Sequence, residues 1–282
     1  MSHDPIAVAL VEDIGQGDLT SRYFIPGDVH GSARIFAKEP AIAAGVDTAA
    51  EVFRRVDPSL SVHIATPAGQ PIAPGQTVLD ISGSVRSILT AERVALNFLQ
   101  HLSAVATITR RFVEAVAGTS AVILDTRKTT PGLRALEKAA VRAGGGQNHR
   151  FGLFDMVLVK DNHLAAGPVA SAEAFRDRLA LFRRDHPTIK VEVEADTLDQ
   201  VRAFLAIPEI DVILLDNMTL ARLGEAVRMR GASGVKLEAS GGVTLASVRG
   251  IALTGVDFIS VGALTHSAGS IDFSLELAPA GQ

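Results

Sequence analysis

Hydrophobic positions recur with two different periods along this chain, and the change of period divides it. Residues 5–11, PIAVALV, start as a short apolar helix-like stretch, and EDIGQGDLTS then interrupts it with glycines and acids, which predicts a turn. Between about Ala33 and Ile81 lie three β-type runs, ARIFAKE, SVHIATPAG and QTVLDISGS, punctuated by Pro58, Pro67, Pro71, Pro74 and Gly75. The segment GVDTAAEVFRRV between the first two places Ala49, Val52, Phe53 and Val56 at helical spacing. A small α+β unit with an antiparallel sheet follows from this pattern. From Ser84 to Gly118 the apolar positions keep a dense helical period, and a domain boundary is expected inside this stretch, near Ser103.

After Gly118 the rhythm becomes βα. AVILDT, DMVLVKDN, IKVEVEA, DVILLDN, GVKLEAS and DFISVGAL are short, continuously apolar runs separated mostly by helix-like segments such as TLDQVRAFLAI. Strands buried on both faces and alternating with helices predict a buried parallel sheet, over residues 104–269. The small α+β unit would occupy residues 1–103. The terminal stretch 270–282 alternates again, Ile271, Phe273, Leu275 and Leu277 against Asp272, Ser274 and Glu276, and is expected to pair back onto that first domain.

Nearly every barrel run ends in a polar or glycine residue: Asp125, Lys160 with Asp161, Glu194, Asp216 with Asn217, Glu238 with Ser240, and Gly262. C-terminal strand ends surround one mouth of a parallel barrel, where the active sites of such barrels lie.

Composition narrows the chemistry. The chain has 282 residues, a formal charge of -4 and no cysteine. Disulfides, thiolate metal sites and cysteine nucleophiles are thereby excluded, and a broad basic face for nucleic acid is not expected. No secretory signal and no membrane-length apolar run is visible, so a soluble, cytoplasmic protein is expected. Against this acidic background, residues 125–150 carry six Lys and Arg side chains, His149 and a glycine triplet. Arg134, Lys138 and Arg142, four residues apart, read as a solvated helix face. Arg127 and Lys128, directly after a buried strand, supply a fork and a point charge for a carboxylate or phosphate. His149 and Arg150 follow the glycines, where backbone can approach closely. Lys160 either packs against Asp161 or faces the mouth, and the mouth is favoured. His101 reads as a structural histidine. Glu194 and Asp216 could hold a divalent cation or sugar hydroxyls, or pair with Arg127, Lys128 or Lys160. Ser240, Gly241 and Gly242, and then Gly262 with Ala263, offer backbone N–H groups for a phosphate, or serve only as tight turns.

The stretches EDIGQGDLTS, AERVALNFLQHLSAVAT, LDTRKTTPGLRALEKAAVRAGGGQNHR, DMVLVKDNH, VEVEA, ILLDN, EASGG and ISVGALTHS together resemble the quinolinate phosphoribosyltransferase family over nearly the whole chain. The resemblance implies an N-terminal α+β open sandwich domain followed by an open TIM-like α/β barrel, in a homodimer with active sites shared across the interface. Its substrates would be quinolinate and phosphoribosyl pyrophosphate, with Mg²⁺ as cofactor and neither nucleic acid nor membrane as partner. It implies that Arg127, His149, Arg150 and Lys160, with Thr126 beside them, hold the quinolinate carboxylates, joined by Arg93 from the other subunit. Lys128 would contact the diphosphate. Glu194 and Asp216 would serve the ribose hydroxyls and Mg²⁺, directly or through water, and with Lys128 form the catalytic set. Ser240, Gly241, Gly242, Val261, Gly262 and Ala263 would surround the 5′-phosphate. Ala143 departs from the family, in which a cysteine is frequent there. Competing readings are a nicotinate-type or metal-uptake-associated phosphoribosyltransferase, and a catalytically silent anion-binding barrel.

Overall fold

The computed structural model describes residues 4–166 and 172–278. The elements in chain order are α1 (Pro5–Ile14), α2 (Leu19–Phe24), β1 (His30–Ala37), β2 (Ala41–Ile42), α3 (Val46–Val56), β3 (Ser61–Ile64), β4 (Pro71–Ile72) and β5 (Thr77–Ser84). Next come α4 (Val85–Ala115), β6 (Val122–Leu124), α5 (Arg134–Ala143), β7 (Val157–Val159), α6 (Asp161–Ala166), α7 (Ala172–Asp185), β8 (Val191–Ala195) and α8 (Leu198–Leu205). The chain closes with β9 (Val212–Asp216), α9 (Leu220–Arg230), β10 (Lys236–Ser240), α10 (Val248–Ala252), β11 (Phe258–Ser260), α11 (Ala263–His266) and β12 (Phe273–Leu277). Two compact units result. One takes the described residues through Arg110, Thr129–Gly145 and those from Leu264 onward, and the other takes Arg111–Lys128 and Gly146–Ala263.

The first unit is built on an antiparallel sheet in the order β12-β1-β5-β3. Period-two alternation turns Ile35, Ala37, Leu79 and Ile81 into its core. α3 buries Val46, Ala49, Ala50, Val52 and Phe53 and leaves Arg54 and Arg55 to water, so Phe53 alone contributes about 1.5–3 kcal/mol of burial. The last strand pairs with β1, Ala33 opposite Leu277 through Ala37 opposite Phe273. Within the stretch 270–282, strand is confined to Phe273–Leu277, and residues 279–282 lie outside the described residues.

One expectation is narrowed in this unit and another corrected. The break expected in EDIGQGDLTS is confined to residues 15–18, because α1 runs on through Ile14 and Asp18 caps α2, its Oδ1 accepting from Ser21 N at 2.9 Å. Its acids sit at helix ends rather than breaking helices. On α5, Lys138 is 2% exposed beside a fully buried Glu137, so that helix is not a plain solvated basic face. Glu137 accepts from His101 Nε2 at 2.7 Å and from Thr130 N at 3.1 Å. Burial alone would raise the Glu137 carboxyl, but these hydrogen bonds outweigh it and hold the group below its ordinary value. His101 is thus the structural histidine that its position suggested.

The glycine triplet also acts inside this unit. A Cβ added at Gly144 would lie 2.5 Å from Ala106 O and 2.6 Å from Thr109 Cβ, so α5 ends hard against α4. Close packing of that kind tolerates no extra methyl. Gly144→Ala is therefore expected to cost about 1–3 kcal/mol, read as a lower urea midpoint with the folded far-UV spectrum retained.

The second unit is a six-stranded parallel sheet in the order β6-β11-β10-β9-β8-β7. β8 to β11 are neighbours in sequence order with a helix crossing between each pair, while β6 lies beside β11 at the far side. Gln147 adds a one-residue parallel bridge to Leu124. The result is an open TIM-like α/β barrel. No helix among the described residues is long and apolar enough to cross a membrane.

Candidate active site

Strand alternation decides which side chains enter the barrel. In β8, Val191, Val193 and Ala195 point one way and Glu192 and Glu194 the other. A cavity of about 550 Å³ opens at the C-terminal strand ends. Into it project Leu158 and Lys160, Leu214 and Asp216, and Glu238 and Ser240, each pair two residues apart. Thr126, Arg127, Lys128, His149, Arg150, Glu194, Gly241, Gly242 and Ser260 complete the lining with Asn217. A larger cavity, about 630 Å³, lies at the opposite strand ends around Lys190, Asp211 and Lys236. Barrel active sites do not sit at that end.

Two arginines meet at this mouth. Arg150 is held below the ordinary arginine value by burial and by the nearby Arg127, only partly offset by Glu192 and Asp155. Like charges brought together away from water are stabilised by an anion between them. Lys160 adds a third cation and bonds Glu194 Oε2 at 2.9 Å, so it faces the mouth and supplies the partner that Glu194 lacked in sequence. Lys128, exposed, follows a turn in which its N–H donates to Thr126 Oγ1 at 3.0 Å.

The loop bearing His149 and Arg150 is latched by Asp125, which is fully buried. Its carboxylate accepts from His149 N at 2.9 Å and from Asn148 Nδ2 at 2.5 Å. Both ring nitrogens of His149 are engaged within the chain: Nδ1 accepts the Arg150 N–H at 2.8 Å, and Nε2 lies 2.9 Å from Glu192 Oε2. An acceptor at Nδ1 places the proton on Nε2, so His149 donates downward to Glu192. Glu192 and Glu238 form an acidic floor, 0% and 2% exposed.

Next to Lys160, the acids Glu194, Asp196 and Asp216 each bring a carboxylate oxygen within 4.8 Å of the others. Asp216 accepts from Asn217 Nδ2 at 2.6 Å. Asn217 has a φ of 51, and its N–H donates to Ser240 O at 3.0 Å. Gly241, at φ 96, passes so close to Asn217 that an added Cβ would collide with that side-chain amide. The SGG turn is therefore a tight backbone approach as well as a source of N–H groups.

The structure thus gathers Thr126, Arg127, Lys128, His149, Arg150, Lys160, Glu194, Asp216, Ser240, Gly241 and Gly242 around one cavity. Val261 is buried, with its N–H donated to Leu124 O at 2.9 Å, and Gly262 and Ala263 lead into α11; Ser260 lines the cavity instead. Arg93 is exposed on α4, in the first unit. Sequence reasoning named Glu238 only as a strand end and passed over Glu192 and Asp196. The alternation in VEVEA was the available signal for Glu192, since a strand that points Glu194 inward also points Glu192 inward.

Fold and site together define an α/β-barrel protein whose mouth opposes clustered cations to clustered carboxylates. Residues 105–276 match "Quinolinate phosphoribosyl transferase, C-terminal domain" and residues 18–103 match the N-terminal domain of the same family. The chain belongs to the quinolinate phosphoribosyltransferase family. It is 43% identical over 282 residues to the nicotinate-nucleotide pyrophosphorylase [carboxylating] of Mycobacterium leprae (strain TN), covering 98% of this chain and 97% of that one. Its fold matches the crystal structure of NadC from Streptococcus pyogenes with a TM-score of 0.90 at 39% identity, over 97% of this chain and 95% of that one. The nicotinate-nucleotide pyrophosphorylase from Francisella tularensis matches with a TM-score of 0.88 at 38% identity, over 97% and 94%. A human nicotinic acid phosphoribosyltransferase, 15% identical, shares the fold alone.

The latch can be tested without any substrate. Asp125→Ala leaves the His149 N–H and the Asn148 amide without their charged acceptor, and is expected to lower unfolding free energy by about 1.5–3 kcal/mol in urea titrations.

Proposed function

We propose that this chain transfers the phosphoribosyl group of phosphoribosyl pyrophosphate to quinolinate with loss of CO₂, giving nicotinate mononucleotide and pyrophosphate. The observation that carries the reading is the convergence of Arg127, Arg150 and Lys160 on one cavity that also presents Glu194, Asp216 and the SGG turn. Three cations suit a substrate with two carboxylates better than nicotinate, which has one. Lys128 is positioned for the diphosphate and the glycine turn for the 5′-phosphate.

The oxygens of Glu194, Asp196 and Asp216 make a donor set that suits a hard divalent cation. Glu194 and Asp216 would hold Mg²⁺, directly or through water, and when bound it supplies charge neutralisation for the departing diphosphate. The protein's own residues position and polarise. Arg127 and Arg150 hold the substrate carboxylates so that the pyridine nitrogen faces C1 of the ribose, and the rim carboxylates accept from its hydroxyls. The ring nitrogen then attacks as C1 acquires oxocarbenium character, and no enzymic nucleophile is needed. The ring becomes cationic, so the carbon beside N⁺ can release CO₂ and keep the electron pair. In this reading His149 orients the Arg150 loop and offers substrate its ring edge, because both of its nitrogens are already engaged.

The reading extends to a cytoplasmic homodimer in which Arg93 of the partner subunit completes the carboxylate site. Arg93 supports it by being an arginine exposed on α4.

Incubation with Mg²⁺, phosphoribosyl pyrophosphate and either quinolinate or nicotinate is expected to give nucleotide and CO₂ from quinolinate only, and nucleotide from nicotinate alone would overturn the assignment. Arg127→Ala should weaken quinolinate binding by about 1.5–3 kcal/mol in calorimetry and leave phosphoribosyl pyrophosphate binding nearly unchanged. Mixing inactive Arg93→Ala chains with inactive Lys160→Ala chains should restore part of the turnover. No recovery, with subunit exchange verified by mass spectrometry, would place each site within one chain.

A further inference from the structure

The acidic floor is not used by the substrate binding just described. Glu192 and Glu238 are buried in mutual contact, and Glu192 Oε1 and Glu238 Oε1 each lack a hydrogen-bond donor. Two carboxylates sharing a dry site cannot both be ionised, and one retained proton would supply the missing donor. His149 decides which carboxyl keeps it. The Nε2–H of His149 donates to Glu192 Oε2 at 2.9 Å and stands 3.6 Å from Glu238 Oε1, so Glu192 is the carboxylate and Glu238 the acid. Burial raises Glu238, and the neighbouring Glu192 raises it further.

Glu238 is also the member of the pair that lines the cavity, beside Ser260. Arg150 and Lys160, assigned above to the substrate carboxylates, line the same cavity, so a carboxylate held between them shares that cavity with Glu238.

We infer that Glu238 is a further catalytic residue, the acid that protonates the pyridine carbon from which CO₂ departs. The inference rests on the reaction proposed above. In the step, the bond from the ring carbon to its carboxylate breaks and CO₂ leaves. The electron pair stays on the carbon beside N⁺ and takes the proton of the Glu238 carboxyl. A C–H bond forms, and Glu238 is left as a carboxylate that regains its proton from water after product leaves. A bound dicarboxylate discourages ionisation of Glu238, so the proton is kept until neutral CO₂ departs and the electron pair left on the ring carbon takes it.

Single-turnover measurements with quinolinate labelled in its 2-carboxylate separate this step from ribosyl transfer, because pyrophosphate and CO₂ are counted independently. The wild-type chain is expected to release both together. Glu238→Gln keeps the size of the side chain but has no acidic proton. It should release pyrophosphate at close to the wild-type rate and CO₂ roughly 100-fold more slowly, with the dicarboxylate nucleotide accumulating. CO₂ keeping pace with pyrophosphate, or both slowing by one factor, would overturn the assignment. If Glu238→Gln does not fold, Glu238→Asp, an acid one methylene short, should show a smaller lag of the same kind, and no lag there would also overturn it. A wild-type chain that forms no nucleotide from quinolinate at all would sink the proposed reaction itself, a result distinct from nucleotide formation without a lag.

Discussion

Residues two apart on a strand face the same way, and in a parallel barrel that single constraint stacks the interior into layers. Here it produces a floor and a rim. On each strand the deeper inward residue, Leu158, Glu192, Leu214 or Glu238, lies one pleat below Lys160, Glu194, Asp216 or Ser240. Register sets Glu238 opposite Leu214 and Ser240 opposite Asp216, while β8 is offset, with Glu194 opposite Leu214 and Glu192 opposite Val212. A one-residue slip in β8 or β10 would turn these groups out among the packed helices and bring valine, leucine or alanine into the mouth. The chemistry of the site is therefore tied to the same hydrogen-bonded ladder that holds the barrel together.

Within that scaffold the difficulty is electrostatic. Arg127 and Arg150 repel one another, Glu192 and Glu238 repel one another, and water reaches the floor poorly. The structure answers with short internal bridges. Asp125 fixes the loop from Asn148 to Arg150, His149 joins that loop to Glu192, and Lys160 is held by Glu194. Each bridge orients a group and leaves Arg127 and Arg150 close together at the opening. Anionic substrates are then not merely tolerated but relieve repulsion already present, which is preorganisation in the sense that matters for catalysis.

The arrangement also separates binding from chemistry along the barrel axis. Cations and glycine N–H groups sit where large anions can enter, whereas the proton-holding pair lies below them. A protonated carboxyl can persist there because burial disfavours its charge, and a histidine with a set tautomer marks which of the two acids stays neutral.

Much of this was legible in the chain itself. The shift from mixed strands to βα repeats marked an α+β unit and a parallel barrel, and polar strand ends such as Lys160, Glu194 and Asp216 pointed to the mouth, because periodicity and strand termination are local properties. Other features depended on residues far apart in sequence. Lys138 looked solvated by spacing, and only packing shows it buried beside Glu137. The close approach expected of the glycine triplet at the mouth occurs at Gly144 against α4. Glu192 and Glu238 read as ordinary strand acids until the sheet order sets them together beneath His149, across β9. A sequence states which side chains share a strand face; which of them share a proton is decided only when the barrel brings their strands together and removes the water between them.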